Sequence, residues 1–462
     1  MASASSSVRD KAHIQELAAK LLSRGLGNRV IAGALGLFAS RAAFTGLSFV
    51  LNVILARMLG ASDFGVYTYT YAWMLLLLVP AMLGMDQLVV REIAALSARA
   101  AWSNVRRILH KANQVTSLAS LAIVLIAGIV SEAAAQHLDP RVRVTFLTAS
   151  VLLPLIALTR VRQCAMQGLH RVAIGVLPEM VVQPAVFIAF LGITYWLGVR
   201  HLTAPRAMGL NVAACIIAFA IGVKLLLSSI PHHSADTPPE ALAWNWRKSA
   251  LPLMFTASAG VIYGQADTLL LGSLKGAKVV GIYGIADRGS DLILLLTLIV
   301  STALAPQIAS LYASGDIAGI ERVVIKFARA TFLCSLPVAL AFVGFGFWYL
   351  LLFYGSAFTA GQQALTILSI GKTLSVLIGL PGMILIMTGY ERDAARAIGF
   401  SAIITILLNL LLIPRWGLEG TAIATASTTV LWNILMAVLL YKRLGIHCTA
   451  LGRISFKQAS HA

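Results

Sequence analysis

The chain has 462 residues, of which 59% are hydrophobic and only 12% are charged, and its mean hydropathy is +0.85. Soluble domains carry roughly twice this share of charged residues, so the composition excludes a water-soluble globular protein. Apolar stretches long enough to cross a bilayer recur from end to end. The net charge of +18 could indicate a nucleic-acid partner, but no RNA- or DNA-binding motif accompanies it.

The apolar stretches predict an all-α integral membrane protein with about twelve transmembrane helices. The predicted spans are residues 31–56, 66–88, 113–131, 144–160, 173–197, 207–228, 250–271, 283–305, 330–352, 362–388, 398–414 and 419–440. If the amino terminus is cytoplasmic, most Lys and Arg residues fall in cytoplasmic segments, so both termini are predicted to be cytoplasmic. The basic residues also suit contact with anionic lipid headgroups.

The spans divide the chain into two halves. Residues 31–228 and 250–440 are the two predicted six-helix bundles, joined by a Pro-containing cytoplasmic linker at 229–249. Residues 1–30 predict a basic amphipathic segment on the cytoplasmic membrane surface rather than a cleaved signal peptide, because the polar stretch is long. Residues 441–462 are the predicted cytoplasmic tail.

A short motif recurs after the first span of each half. The pattern G-A-x-x-x-G-[VI]-Y places Gly60, Gly65 and Tyr67 in the first half and Gly276, Gly281 and Tyr283 in the second. Glycine suits a tight turn, and Tyr suits the membrane interface. Halves of equal orientation predict a pseudo-two-fold axis along the membrane normal, with a central cavity at their interface.

Three blocks resemble a known family. Residues 51–94, which read LNVILARMLGASDFGVYTYTYAWMLLLLVPAMLGMDQLVVREIA, are similar to the opening signature of the polysaccharide flippases. Residues 408–433 resemble that family's closing signature, and residues 354–358 its turn before the tenth span. The chain thus resembles the polysaccharide (O-antigen and exopolysaccharide) flippases of the multidrug/oligosaccharidyl-lipid/polysaccharide exporter superfamily.

The resemblance implies a central cavity between two six-helix bundles that opens alternately to each side of the membrane. The implied cargo is an undecaprenyl-diphosphate-linked oligosaccharide, carried across a bacterial inner membrane for surface polysaccharide synthesis. A polysaccharide polymerase and a chain-length regulator are implied as partners. No cofactor is implied.

Basic residues inside the spans are candidates for binding a diphosphate, because a charge in the bilayer is costly unless it has a function or a partner. Arg41, Lys372 and Arg288 would make the cavity cationic. The alternative for each is an internal ion pair or a side chain that reaches the membrane surface.

Acidic residues inside the spans are candidates for coupling transport to H⁺ or Na⁺. They are Asp267, Asp287, Asp291 and Glu179. Asp287 and Asp291 share one helix face and could instead form a local bridge with Arg288. Asp267 has no basic neighbour on its own helix, and Glu179 could serve either a gate or an ion pair.

Other motif residues have predicted structural roles. Arg57, Asp86 and Arg91 match family positions at helix ends and are expected to hold loops and termini. Pro381, within the tenth span, predicts a bending point that could serve gating or ordinary kinked packing.

The sequence contains no P-loop, catalytic triad or metal-ligand cluster, so no enzyme is predicted. Three other functions stay open. A multidrug exporter of the same superfamily would have an acidic cavity, and a peptidoglycan-precursor flippase would have fourteen spans. A scaffold of a polysaccharide assembly complex would not transport.

Overall fold

The computed structural model describes the backbone of residues 3–134, 136, 139–231 and 246–452. It describes side chains for residues 43–134, 136, 139–231, 260–302 and 304–452. Nearly all of these residues are helical, and none of them forms a strand. The side chains of Arg41 and segment 1–30, most of linker 229–249 and the end of tail 441–462 lie outside the described residues.

Helical segments coincide with every predicted span. The α-helices are α1 (Ser3–Met82), α2 (Met85–Ala98), α3 (Trp102–Ala133), α4 (Pro140–Ser150), α5 (Leu152–Gly168), α6 (Val172–Leu177), α7 (Gln183–Trp196), α8 (Ala204–Ser229), α9 (Trp246–Lys275), α10 (Ala277–Ser290), α11 (Leu295–Ala313), α12 (Ile317–Tyr349), α13 (Gln362–Ile378), α14 (Pro381–Met387) and α15 (Glu391–Leu444). Short π-helical segments lie at Pro178–Val182 and Leu350–Tyr354, and short 3₁₀ segments at Asp291–Leu294 and Ser356–Gly361.

The outer faces of these helices are apolar. Leu118, Leu125 and Ile129 of α3, for example, are each about 70% exposed. Within the described residues, seven helices are long and apolar enough to cross a membrane, or nine if each of two bent helix pairs counts as one span. Only lipid covers so much apolar surface at low cost, so the chain is a multi-pass membrane protein. The count of twelve stays a prediction.

Glycine divides the longest helix, α15, into two antiparallel segments. Its 54 residues would extend roughly 80 Å if straight, well beyond the bilayer core of about 30 Å. Gly417 interrupts the helix with φ 52° and ψ −120°. Asn409 and Thr425, on either side of Gly417, both contact Asp267, although a straight helix would hold them roughly 24 Å apart. The chain therefore turns back at Gly417, between the last two predicted spans.

The repeated motif marks similar turns in both halves. Gly60 interrupts α1 with φ 68°, and Gly276, with φ 86°, separates α9 from α10. Phe44 and Tyr71 line one cavity, although a straight α1 would hold them roughly 40 Å apart, so α1 also turns back at Gly60. The predicted turns at these two glycines are confirmed.

The two repeats contact each other through their second glycines. A Cβ atom at Gly65 would lie 1.8 Å from the carbonyl oxygen of Ala277, and one at Gly281 would lie 2.4 Å from that of Ala61. The contacts are reciprocal, as at a two-fold interface. Locally, the halves therefore meet as the pseudo-two-fold prediction requires, while symmetry of the whole bundles remains a prediction.

The tenth predicted span is broken. Helix α13 ends at Ile378, Gly379 has φ 95°, and α14 begins at Pro381. The helices on either side are bent by 43°. Proline at the first position of α14 lacks the N–H that would continue a hydrogen-bonded helix, which explains the position of the bend. A gating role for this bend is still a prediction.

Candidate functional site

A cavity of about 610 Å³ lies where the two halves meet. Both segments of α1 line it, together with α7 and α8 from the first half and residues around the 3₁₀ segment from the second. Its polar lining residues are Thr45, Ser48, Asn52, Tyr67, Tyr71, Glu179, Gln183, Asn211, Arg288, Asp291 and Tyr354. Such a wall can bind a hydrophilic group inside the membrane region.

Arg288 is positioned at the end of α10, with its side chain on the cavity wall. Its Nη1 donates a hydrogen bond to Oδ1 of Asn52, and its guanidinium carbon lies 5.6 Å from the ring centroid of Phe64. No carboxylate of the described residues forms a salt bridge with Arg288. This side chain is thus a cavity-lining cation whose partners are neutral, as the predicted substrate-binding role requires.

Lys372 has a different environment from the predicted one. It is 5% exposed, and its Nζ lies 2.8 Å from Oδ1 of Asp287 and 2.6 Å from Oδ1 of Asp291. Its Nζ also donates to the backbone oxygen of Asp287 at 3.0 Å. Lys372 is therefore the centre of an internal ion cluster in this conformation. The alternative of an internal ion pair describes it, and the prediction of a free cavity cation is wrong here.

Asp287 and Asp291 do share a helix face, but their cation is Lys372 rather than Arg288. The predicted local bridge with Arg288 is therefore wrong. Asp291 opens the 3₁₀ segment Asp291–Leu294, where α10 ends, and its side chain is 58% exposed on the cavity wall. The carboxylate of Asp291 therefore faces both the cavity and the buried ammonium group of Lys372.

Glu179 also pairs with a basic side chain. It lies in the π-helical segment Pro178–Val182 and on the cavity wall. Nη2 of Arg162 donates to its Oε1, and Nε2 of Gln163 donates to its Oε2 at 3.0 Å. Arg162 is only 2% exposed, and its Nε and Nη1 have no hydrogen-bond partner. The sequence prediction omits Arg162 because the fourth span is drawn to end at residue 160, whereas α5 continues to Gly168.

Acidic side chains pair with two of the basic side chains at the cavity. Arg162 pairs with Glu179, and Lys372 pairs with Asp287 and Asp291. Of the predicted cations, Lys372 is therefore neutralised, whereas Arg288 has a neutral partner in Asn52 among the described side chains. The side chain of Arg41 lies outside the described residues.

Asp267 is in a separate, closed site within the second half. Three neutral groups contact its carboxylate: Nδ2 of Asn409 at 2.6 Å, Oγ1 of Thr425 at 2.6 Å and the hydroxyl of Tyr283 at 3.3 Å. In the described part of the chain, no basic side chain pairs with it. Oδ1 of Asn409 is buried and has no hydrogen-bond partner. A buried carboxylate with only neutral contacts has a high affinity for a proton or a small cation.

Of the predicted structural residues, Arg57 joins the two halves, whereas Arg91 and Asp86 have only local positions on α2. Arg57 donates from Nε to the backbone oxygen of Phe353 at 2.8 Å and from Nη2 to that of Leu352. This contact joins the first half to the second beside Gly65 and Gly281. Arg91 forms only an exposed pair with Glu92 at 2.9 Å, and Asp86 lies in the first turn of α2.

The repeated tyrosines Tyr67 and Tyr283 are buried within their own halves, so the prediction that they lie at the membrane interface is wrong. The hydroxyl of Tyr67 accepts a hydrogen bond from Nδ2 of Asn211 at 3.0 Å, and Tyr283 contacts Asp267. No group of three or more His, Cys, Asp or Glu side chains in the described residues could hold a metal ion.

Two family profiles match the sequence. The family described as polysaccharide biosynthesis protein matches residues 30–312, and the MatE family matches residues 252–411. The chain is 24% identical to the probable low-salt glycan biosynthesis flippase Agl15 of Haloferax volcanii, over 82% of this chain and 77% of that protein. It is also 30% identical to the probable flippase AglR of the same organism, over 35% of each chain.

Solved structures share the fold. The lipid II flippase MurJ in an inward closed conformation is 14% identical with a TM-score of 0.65, covering 89% of this chain and 87% of that one. An inward-facing multidrug resistance MATE transporter has the same TM-score and identity, covering 87% and 94%. A MOP-superfamily transporter from Pyrococcus furiosus has a TM-score of 0.64 at 13% identity, covering 89% and 95%.

Proposed function

The chain belongs to the polysaccharide biosynthesis protein family, and we propose that it moves a polyprenyl-diphosphate-linked oligosaccharide across a membrane by alternating access. Membership in this flippase family of the MOP superfamily confirms the sequence prediction. The cargo class is supported by similarity to a probable glycan biosynthesis flippase. In a bacterial host the lipid would be undecaprenyl diphosphate, and the membrane the inner membrane, with both termini cytoplasmic.

The position of Arg288 is the observation that best supports the proposal. It lies on the wall of the cavity between the halves, with a neutral partner, Asn52, that an anion can replace. A diphosphate oxygen accepts stronger hydrogen bonds from a guanidinium than an amide oxygen does, because both partners are then charged. The sugars would occupy the polar part of the cavity, while the polyprenyl chain remains in lipid.

The ammonium group of Lys372 is a second group that could contact the diphosphate, once an acidic partner is displaced. Incoming phosphate oxygens compete with the carboxylate of Asp291, which is half-exposed, for the ammonium group. Exchange of one anion for another leaves the buried ammonium group paired throughout, and the released carboxylate of Asp291 lies half-exposed on the cavity wall, where water can solvate it. Arg162 and Glu179 form a similar pair on the opposite wall.

The conformation is closed on the side predicted to be extracytoplasmic. Gly65 and Gly281 bring the two halves into backbone contact there, and Arg57 joins the same ends. In our proposal, cargo enters from the cytoplasmic side, and the halves then separate at this glycine contact to release it outside. Alternating access of two repeats around a fixed site has this form in many transporters.

The coupling ion, H⁺ or Na⁺, is proposed to bind at Asp267. Oγ1 of Thr425 and the amide of Asn409, whose Oδ1 has no hydrogen-bond partner, contact this carboxylate, and the two residues come from the two antiparallel segments of α15. An ion bound there would stabilise one packing of these helices over another, which is how an ion gradient can bias a conformational equilibrium. Glu179, Asp287 and Asp291 are less suited, because each already has a basic partner.

The test is genetic and chemical. The gene is deleted in its host, the lipids are extracted, and polyprenyl-diphosphate-linked oligosaccharide is measured beside surface polysaccharide. We expect the lipid-linked oligosaccharide to accumulate and the polysaccharide to disappear, and both to be restored by the wild-type gene but not by Arg288→Ala. Unchanged lipid pools with an intact surface, in a strain without a redundant flippase, would contradict the proposal.

A multidrug exporter is the second candidate, favoured by the MatE match over residues 252–411. The deletion strain would then become sensitive to cationic drugs without any change in its lipid-linked oligosaccharides. A polymerase and a chain-length regulator are proposed partners of the flippase, and co-purification from native membranes would identify them.

A further inference from the structure

A second pocket, which we name the outer pocket, lies between the beginning of α13 and the residues of α15 on both sides of Gly417. Its volume is about 400 Å³, and its lining includes Gln362, Gln363, Trp416, Glu419 and Ile423. It shares no residue with the central cavity. The pocket is therefore a separate feature of the molecule.

The packing of the two helices fixes the level of the pocket in the membrane. A Cβ atom at Gly371 would lie 2.5 Å from Cβ of Ala426, and Nδ2 of Asn433 donates to Oγ of Ser375 at 2.8 Å. Both contact pairs advance in the same direction along the chain, so the two helices run parallel and begin at the same membrane surface. This surface is the one predicted to be extracytoplasmic.

Four of the polar side chains that line the outer pocket have no hydrogen-bond partner among the described residues, whereas the hydroxyl of Thr366, which also lines it, donates to the backbone oxygen of Gln362 at 3.1 Å. The amides of Gln362 and Gln363, the indole N–H of Trp416 and the carboxylate of Glu419 make no hydrogen bond or ion pair among the described residues. Trp416 is 54% exposed. Together these groups offer donors, acceptors and one flat apolar face, which matches the hydroxyl groups and the C–H face of a sugar ring.

Below the outer pocket, both helices present apolar side chains to lipid. Ile370 and Leu374 of α13 are 49% and 44% exposed, and Leu431 and Ile434 of α15 are 37% and 46% exposed. Residues 363, 367, 370 and 374 follow the helical spacing of one face, so the polar pocket continues directly into an apolar surface. A ligand that fits both parts has a polar head at the membrane surface and a hydrocarbon chain in the bilayer.

We propose that the outer pocket binds the saccharide head of a membrane lipid, with the sugar against Trp416 and the lipid chain along α13 and α15. The carboxylate of Glu419 lines the pocket and can accept hydrogen bonds from the hydroxyl groups of a sugar. Two sources share this chemistry: the flipped lipid-linked oligosaccharide, an assignment that rests on the proposed function, and a resident glycolipid of the outer leaflet.

Site-specific photo-crosslinking tests the site in native membranes. Gln363→p-benzoylphenylalanine places the reactive ketone in the outer pocket. The matched control places it at Trp348, which is 63% exposed and lies at the carboxyl end of α12. After illumination, the purified protein is digested and its lipid adducts are identified by mass spectrometry. We expect sugar-containing lipid adducts at residue 363 and not at residue 348.

Variants of Trp416 test whether the sugar-containing adduct depends on the aromatic side chain of the outer pocket. An aromatic contact of this kind is worth about 0.5–1.5 kcal/mol, so Trp416→Ala should lower the sugar-containing adduct roughly two- to tenfold, and Trp416→Phe should restore most of it. Phospholipid adducts alone, or sugar adducts equal in Trp416→Ala and the parent, would overturn the proposal. Normal elution of each variant as a folded protein in detergent is checked first.

The lipid part of the adduct separates the two sources. A polyprenyl chain that disappears from the adduct in the transport-defective Arg288→Ala protein identifies the flipped oligosaccharide, whereas a glycerolipid adduct that persists identifies a resident glycolipid. The lipid pools of the deletion strain are measured independently. If the protein is not a flippase but the outer pocket binds a glycolipid, a sugar-containing adduct will still form at residue 363. If the outer pocket binds no sugar but the protein is a flippase, the lipid-linked oligosaccharide will still accumulate in the deletion strain.

Discussion

A single methyl group at Gly65 should shift the protein away from the outside-closed conformation. A Cβ atom there would lie 1.8 Å from the carbonyl oxygen of Ala277, and backbone atoms cannot turn aside as a side chain can. An ordinary contact is at least 3.4 Å, so the two halves must separate locally by about 1.6 Å. Such overpacking costs about 1–3 kcal/mol, which corresponds to roughly 5- to 150-fold in the conformational equilibrium.

Labelling of a cavity thiol measures this shift. Ser48→Cys introduces a thiol on the cavity wall of a protein whose four natural cysteines are replaced, and a membrane-impermeant maleimide is added from outside. We expect Gly65→Ala to raise the labelling rate several-fold or more. The control is Gly46→Ala on the same helix, because no atom lies within 4 Å of a Cβ there.

The paired glycine provides an internal check. Because Gly65 and Gly281 belong to one contact, the double variant Gly65→Ala/Gly281→Ala should label less than the sum of the two single effects predicts. Labelling of a folded Gly65→Ala protein at the rate of the parent would refute the reasoning that this contact closes the outer side.

Three further predictions concern the charged residues. Lys372→Ala should lower the thermal unfolding temperature in detergent, because it leaves the carboxylates of Asp287 and Asp291 without their cation, and adding Asp291→Asn should restore part of the loss. Arg288→Lys should transport less than the parent at equal expression, because an ammonium cannot make bidentate contacts with a diphosphate, whereas an unchanged rate would remove Arg288 from the binding role. Asp267→Asn should abolish the dependence of transport on the H⁺ or Na⁺ gradient while the protein still folds, since the neutral contacts of the carboxylate also suit an amide; persistent dependence would place the coupling ion elsewhere.

The sequence predicts the turns well because they depend on local chemistry. Gly60, Gly276 and Gly417 all adopt positive φ values, which glycine accepts without strain, and each lies between two long apolar segments. The family blocks surround the first and last of these glycines. The membrane-spanning architecture and the family could therefore be predicted from the sequence.

The pairing of charges could not be predicted, because it depends on how helices distant in sequence pack. Lys372 is separated from Asp287 by 85 residues, and no acid on its own helix indicated a partner. Arg162 was missed for a different reason, because the fourth span was predicted to end at residue 160. By contrast, the isolation of Asp267 from basic residues on its own helix is matched by three neutral contacts from other helices.

The outer pocket also depends on tertiary packing. Gln363 and Trp416 lie far apart in sequence, and only the parallel packing of α13 with the end of α15 brings them together. The sequence signal was limited to the closing block at residues 408–433, which the resemblance ties to the family rather than to a ligand.

Transport by the purified protein alone tests the central claim most directly. The protein is reconstituted into liposomes with a polyprenyl-diphosphate-linked oligosaccharide, and the fraction of sugar accessible to an added glycosidase is followed over time. We predict that wild-type protein makes the inner-leaflet sugar accessible and that Arg288→Ala does so much more slowly. A rate equal to that of protein-free liposomes, with folded protein and imposed H⁺ and Na⁺ gradients, would contradict the flippase account and favour a scaffold.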